Sequence, residues 1–158
     1  MKGDLLNIPM PEIDELVPHS GDMSLLDEVV EFSGESVFTK ATIAADNPFV
    51  VDQSISSWIG IEYMAQTIAA WAGMHAVSQG EPIKMGFLVG SRAYSPADDS
   101  FAVGTELHIS ATQVMEGANG LKVFECELRY EGGQVSANIN VFQPEDIEVF
   151  LRGQIDEK

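Results

Sequence analysis

The chain has 158 residues, 45% of them hydrophobic, which favours one domain over residues 1–158 with a single core. Eight Lys and Arg oppose 25 Asp and Glu, and the resulting net charge of −17 disfavours binding to nucleic acid or to an anionic membrane. The single cysteine, Cys126, excludes an intrachain disulfide and a cysteine metal cluster, and there is no membrane-spanning apolar run or signal-peptide pattern. We therefore expect a cytoplasmic protein without a metal or cofactor.

The residue pattern predicts strands on both sides of one long helix. Before the helix come a helical turn, two β-prone runs and a loop, at Pro11–Leu16, Leu25–Phe32, Ser36–Ile43 and Asp46–Gln53. The helix is predicted over Ser56–Ser78, with Ser56 or Ser57 as its cap and Gly80 just past its end. Four β-prone segments and a final short helix follow, at Met85–Tyr94, Glu106–Met115, Leu121–Tyr130, Val135–Phe142 and Glu145–Leu151.

The long helix is apolar nearly all round, which predicts that it is buried on most sides. An antiparallel sheet wrapped around one central helix, an α+β fold, satisfies the element order. Glu62 is the only charged residue between Gln53 and Gly80. A lone charge in an apolar helix needs a reason, and two are open. Glu62 either performs chemistry at the helix start, or is a buried acid satisfied by backbone N–H groups or by Gln66.

Three sequence words resemble the hotdog-fold 3-hydroxyacyl-(acyl carrier protein) dehydratases. Leu16–His19 with Leu25–Val29 is similar to the family's "LPH…LLDRV" word, and Ile61–Gln66 is similar to its central-helix "EAMAQ" word. Gly90–Pro96, with Gly104 later, is similar to its "ARF…P…PGD" strand. The spelling of Pro18–Asp27 looks more like the divergent branch found in aryl-polyene clusters. The resemblance implies a hotdog fold.

One departure from the family pattern bears on function. The family carries a catalytic histidine in a Gly-His-Phe-Pro-Gly loop, fourteen residues before the helix carboxylate. The matching position here is Pro48, and the surrounding segment Asn47–Gln53 contains no histidine. The Pro-Gly pair that opens the family's helix is replaced as well, by Ser56-Ser57.

The resemblance implies a division of roles in removing water from a 3-hydroxyacyl thioester, bound to acyl carrier protein or to coenzyme A. Glu62 would act on the hydroxyl, and the helix amides near Ile59 and Gly60 would polarise the carbonyl. Trp58 and Gln66 complete the predicted substrate-binding set. In the family, each active site forms between two subunits. A homodimer of this chain would therefore have two sites, and both would lack the histidine. A heterodimer with a histidine-bearing hotdog subunit would hold one complete site.

Other functions remain open at this stage. A hotdog acyl thioesterase could use Glu62 alone with the helix-start amides, and a non-catalytic acyl-binding partner would need Glu62 only for structure. Trp58 and Tyr63 either line an acyl tunnel or belong to the core. The remaining candidates are read as structural: His19 before the first strand, His75 packed at the helix end, His108 facing solvent and Cys126 in the core.

Overall fold

The computed structural model describes residues 11–16, 23–81, 87–117 and 119–142. Helix α1 (Ile13–Leu16), a 3₁₀ turn (Ser57–Ile59) and the long helix α2 (Gly60–Gln79) are its helical elements. The strands in chain order are β1 (Glu28–Phe32), β2 (Ser36–Thr42), β3 (Ser54–Ser56), β4 (Phe87–Arg92), β5 (Ser100–Ala102), β6 (Glu106–Glu116), β7 (Leu121–Tyr130) and β8 (Gly133–Phe142).

Six of these strands form one antiparallel sheet in the order β1-β2-β6-β7-β8-β4. Alternation in the sequence explains which face of the sheet is buried: Phe124, Cys126 and Leu128 of β7 are buried, as are Val135, Ala137 and Ile139 of β8. Residues between them face solvent because successive side chains in a strand point to opposite sides. The predicted α+β architecture is confirmed.

Helix α2 packs its length against the buried face of this sheet. It ends at Gly80, which has a left-handed backbone (φ 69°) that glycine adopts without steric cost. Near its middle, a Cβ atom at Gly73 would overlap the backbone of Leu16, so this glycine lets α1 pack closely against α2. Trp71 meets Phe124 of β7 edge-on, with ring centroids 5.0 Å apart. The prediction that α2 is buried on most sides is confirmed.

The start of the helix differs from the prediction. Residues Ser54–Ser56 form β3, which pairs with β5 in a separate two-stranded sheet, and α2 begins at Gly60 after the 3₁₀ turn. Ser56 caps the 3₁₀ turn, its Oγ accepting from the Trp58 N–H at 3.3 Å. Three-residue strands are too short for a periodic pattern, so β3 and β5 left no signal in the sequence.

The remaining bounds agree within a few residues. The predicted strand Met85–Tyr94 is observed as Phe87–Arg92, while residues 82–86 and the predicted helix Glu145–Leu151 lie outside the described residues. In the part of the chain that the structure describes, no helix has the length and apolar character needed to cross a membrane. The prediction of one domain over 1–158 and that of a cytoplasmic location stay predictions.

Candidate functional site

Glu62 lies in the first turn of α2, with a half-buried side chain. A carboxylate at this end of a helix is favoured by the positive end of the helix dipole. One of its oxygens, Oε1, accepts a hydrogen bond from Gln66 Nε2 at 3.1 Å. The two residues are four apart, so they sit on the same face of α2. The carboxyl group is therefore held in a defined position at the amino end of the helix.

Gln66 is fully buried, and its amide is shared among three protein groups. Its Oε1 accepts from the Leu25 N–H at 2.8 Å, and its Nε2 donates to the Met23 carbonyl at 2.7 Å as well as to Glu62. Because the Leu25 N–H can only donate, the amide orientation is fixed by the network. This geometry favours a positioning role for Gln66, which ties Glu62 to the segment before β1.

The backbone at the helix start is already hydrogen-bonded within the protein. The Gly60 N–H bonds to the carbonyls of Ser57 and Trp58. A Cβ atom at position 60 would overlap the Tyr94 hydroxyl, and that hydroxyl donates to the Ser57 carbonyl. Gly60 thus makes room for the Tyr94 ring. In this conformation the Gly60 N–H is directed at backbone acceptors, so it could polarise a substrate carbonyl only after a change in the turn. Ile59 is partly buried against the core, and polarisation of the carbonyl by its amide stays a prediction.

The two aromatic residues near Glu62 differ in environment. Trp58 is 58% exposed and packs against Tyr94 with the two rings tilted, their centroids 5.3 Å apart. The interpretation of Trp58 as a core residue is therefore wrong, because it sits in the 3₁₀ turn outside the buried helix. Tyr63 is fully buried and belongs to the core. Substrate binding by Trp58 stays a prediction.

The loop before β3 is organised by Asn47. Its N–H bonds to the Ala44 carbonyl at 3.1 Å, and its carbonyl accepts from the Val50 N–H at 3.0 Å, closing a turn with Pro48 in second position. Proline favours that position because its φ is preset. The Asn47 side chain accepts from the Phe49 N–H at 2.8 Å and donates to the Tyr63 hydroxyl at 3.1 Å. Burial raises the pKa of Tyr63 to about 12, so its phenol stays neutral at physiological pH.

The described histidines lie away from Glu62. His75 packs against Phe32 and Trp71 and bonds to the Gly34 carbonyl at 2.6 Å through Nε2. It lines a cavity of about 560 Å³, about 20 Å along α2 from Glu62 at 1.5 Å per residue. His108 is exposed on β6, 2.9 Å from Glu106. The predictions that His75 is packed at the helix end and that His108 faces solvent are confirmed. His19 lies outside the described residues.

Neither a thiol nor a metal site accompanies Glu62 among the described residues. Cys126 is buried, as predicted, and burial raises the pKa of its thiol to about 12, which makes it a poor nucleophile. Within the described ranges, no three His, Cys, Asp or Glu side chains come together to hold a metal ion. Among the residues that the structure describes, the helix start therefore offers the chemistry of one positioned carboxyl group.

Sequence reasoning found Glu62 and Gln66 but missed the buried polar side chains around them. Thr39 and Thr67 are buried, and their hydroxyls are 2.8 Å apart. The polar Thr67 within an apolar helix was the one available signal. Its partner on β2, and the Asn47–Tyr63 contact, depend on tertiary packing that no local pattern reveals.

The model of the ApeP-like family, described as ApeP dehydratase, matches residues 11–152 of the chain. The chain belongs to the ApeP-like dehydratase family. The resemblance inferred from the three sequence words is thereby confirmed, as is its assignment to the divergent branch. No curated protein sequence is significantly similar to the chain.

Solved structures agree with this membership. The chain resembles a chain of the dehydratase heterocomplex ApeI:P from Xenorhabdus doucetiae with a TM-score of 0.83 and 28% identity, covering 95% of this chain and 100% of that one. More distant neighbours show the fold alone. They include the conserved protein PA5202 from Pseudomonas aeruginosa (TM-score 0.58, 16% identity, 85% and 99% covered). A hypothetical thioesterase with coenzyme A from Streptococcus pneumoniae also matches (TM-score 0.53, 17% identity, 73% and 84% covered). The hotdog fold is confirmed.

Proposed function

We propose that this chain is one half of a heterodimeric dehydratase that removes water from 3-hydroxyacyl thioesters carried by acyl carrier protein. In this reaction a base takes a proton from C2 of the acyl chain while the hydroxyl on C3 leaves. The protonated Glu62 carboxyl group gives its proton to that hydroxyl, which departs as water and leaves a 2-enoyl thioester. Trp58, Ile59 and Gly60 lie at the helix start where the thioester would bind.

The observation that carries the proposal is the combination of a positioned acid with a loop that has no histidine. Glu62 is oriented by Gln66, whereas the loop that would carry a histidine holds Pro48 in its turn. The chain's histidines are His19, His75 and His108. The two described ones lie away from Glu62, on the carboxyl half of α2 and on the exposed face of β6. Among the described residues no histidine is placed to act as the base, which favours a base supplied by another polypeptide.

Similarity to a chain of the ApeI:P dehydratase heterocomplex supports a second, different subunit as the partner. Two copies of this chain would form two sites that both lack the histidine. One copy paired with a histidine-bearing hotdog subunit forms one site from the partner's histidine and Glu62. It also forms a second site that pairs the partner's carboxylate with Pro48 and stays inactive.

The surface charge suggests where the carrier protein docks. Acyl carrier proteins are acidic, and this chain has 25 acids against eight Lys and Arg. Two of the described cations are already near acids of the same chain: Lys40 lies 3.4 Å from Glu28, and Arg129 lies 3.3 Å from Glu127. Like charges disfavour encounter, so the carrier is expected to land on a more basic partner.

The test is dehydration of a 3-hydroxyacyl carrier-protein substrate by the chain alone and by the chain mixed with a histidine-bearing hotdog protein from the same genome. The mixture should turn over, and the chain alone should be slower on the order of a hundred- to ten-thousand-fold, the usual contribution of a general base. Glu62→Gln should reduce the activity of the mixture by a similar factor. Glu81→Gln, on the exposed residue just past the end of α2, is the matched control and should leave activity unchanged.

Three outcomes would contradict the proposal. Fast turnover by the chain alone would require another base, with His19 and Asp52 the first to test. Full activity of the Glu62→Gln mixture would remove Glu62 from the reaction. Release of free thiol without loss of water, followed in the same assay, would identify a thioesterase instead.

A further inference from the structure

The buried polar side chains of the described core lie on α2, on the 3₁₀ turn before it, or against it. Outside the apolar residues, the buried side chains are those of Thr39, Ser57, Gln66 and Thr67. Gln66 bonds Glu62 directly. Thr67 lies five residues after Glu62 on α2, and Thr39 bonds to Thr67 from β2. A buried polar group costs free energy unless it is paired, so the polar residues that bond to the first two turns of α2 call for an explanation.

Thr39 and Thr67 form a directed chain of hydrogen bonds. The Thr67 hydroxyl donates to the Tyr63 carbonyl at 2.8 Å, one turn back along α2. A hydroxyl has a single proton, so in the 2.8 Å contact between the two threonines the Thr39 hydroxyl must be the donor. The chain runs from β2 through Thr67 to the peptide carbonyl of Tyr63, the residue that follows Glu62. It fixes the height and rotation of this turn of α2 relative to the sheet.

Tyr63 and Asn47 fix the same turn from another side. The Tyr63 ring is fully buried, and its hydroxyl accepts from Asn47 Nδ2 at 3.1 Å. The Asn47 amide is itself oriented, because its oxygen accepts from the Phe49 N–H at 2.8 Å. The loop of residues 44–50 is thereby bonded to the residue next to Glu62.

We propose that Thr39, Thr67, Tyr63 and Asn47, which we name the polar clamp, are positioning residues for Glu62 in the dehydration reaction. This inference rests on the proposed function of Glu62. The clamp joins the Glu62 turn to β2 and to the 44–50 loop, while Gln66 joins it to residues 23–25. Three separate segments thus define where the carboxyl group stands. A displacement of a catalytic group by about 1 Å can cost on the order of a hundredfold in rate, so such a clamp has a catalytic consequence.

The experiment measures kcat, KM and the pH–rate profile of the reconstituted heterodimer for Thr67→Val and Thr39→Val. Each keeps the shape of the side chain and removes its hydroxyl. Both are expected to lower kcat on the order of tenfold with KM unchanged, the pattern of an interaction that acts in the transition state. The pH–rate profile of both variants should differ from that of the unsubstituted heterodimer. Thr67→Ser, which retains the hydroxyl, should keep near-normal kcat and the normal profile.

Thr112→Val is the matched control, because Thr112 also shares its hydroxyl with a β2 residue, Ser36, at 2.8 Å. Its activity should be unchanged. Tyr63→Phe tests the second arm of the clamp if a threonine variant fails to fold. The inference is overturned if Thr67→Val and Tyr63→Phe match Thr112→Val while Glu62→Gln inactivates the enzyme. It is also overturned if Thr67→Ser is as slow as Thr67→Val. If Glu62→Gln is fully active, the proposed function itself fails and the clamp has no catalytic group to position.

Discussion

Replacing Gln66 by methionine tests whether the Glu62 turn is held as the hydrogen bonds indicate. Methionine is unbranched and of similar length, so the substitution fills the same space and removes both polar ends. The Leu25 N–H then loses its only described acceptor, Gln66 Oε1 at 2.8 Å, in a residue that is 7% exposed. The Met23 carbonyl loses a 2.7 Å donor, but Met23 is 45% exposed and water can replace it.

The magnitude follows from these two environments. A buried N–H group left without an acceptor costs about 1–3 kcal/mol, and a carbonyl that water reaches costs less. Burial of the apolar methionine side chain offsets part of this loss. The net decrease in the free energy of unfolding is therefore about 2 kcal/mol. For a chain of this size that corresponds to a fall in Tm of about 4–8 °C.

Urea unfolding followed by circular dichroism measures the effect. Gln79→Met is the matched control, because Gln79 is on the same helix and exposed, so its change should stay within about 0.5 kcal/mol. If Gln66→Met were no more destabilising than Gln79→Met, the Leu25 N–H would have another acceptor. Gln66 would then not hold the Glu62 turn against residues 23–25, and it could not be the residue that positions Glu62.

Three further measurements test other parts of the structure. Gly73→Ala should destabilise the protein by about 1–3 kcal/mol in urea, since the clash with α1 outweighs the better helix propensity of alanine; a gain in stability would contradict the close packing. Folding raises the pKa of all three tyrosines from 10 to about 12, so the neutral phenol is favoured in the folded state. The resulting stabilisation of the folded state is complete below pH 10 and is lost as the pH rises towards 12. Tyrosinate absorbance of the folded protein should therefore appear at higher pH than that of the urea-unfolded chain. Titration curves that coincide for the two states would contradict this prediction. Cys126 should resist a thiol reagent in the native protein and react on unfolding, whereas rapid native labelling would show that β7 opens.

The sequence predicts the parts of this structure that depend on local pattern. The bounds of β7 follow from its alternation, and the end of α2 follows from Gly80. Glu62 and Gln66 share a helix face by their spacing of four, so their contact could be expected. Of the two interpretations of Trp58, the one as a core residue is wrong, because the apolar run continues without a break from the 3₁₀ turn into the helix and only the backbone shows where the turn ends.

What the sequence does not predict is set by contacts between distant segments. Thr39 and Thr67 are 28 residues apart, and each looks like an ordinary β-branched residue of its own element. Asn47 is read correctly as a turn former, but its bond to Tyr63 depends on how the loop lies on α2. These polar contacts to the first turns of α2 therefore form only once the sheet and the loop have been placed beside the helix.

The contact between Gly60 and Tyr94 links two positions that are far apart in the chain. A side chain at position 60 would overlap the Tyr94 hydroxyl, and that hydroxyl donates a hydrogen bond to the Ser57 carbonyl in the turn before Gly60. A larger residue at 60 would be tolerated only with a smaller one at 94, so substitutions at the two sites should be strongly non-additive. Across related sequences, these two positions are expected to vary together. A related sequence that differs at only one of positions 60 and 94 would be expected to have a different backbone conformation at the start of this helix.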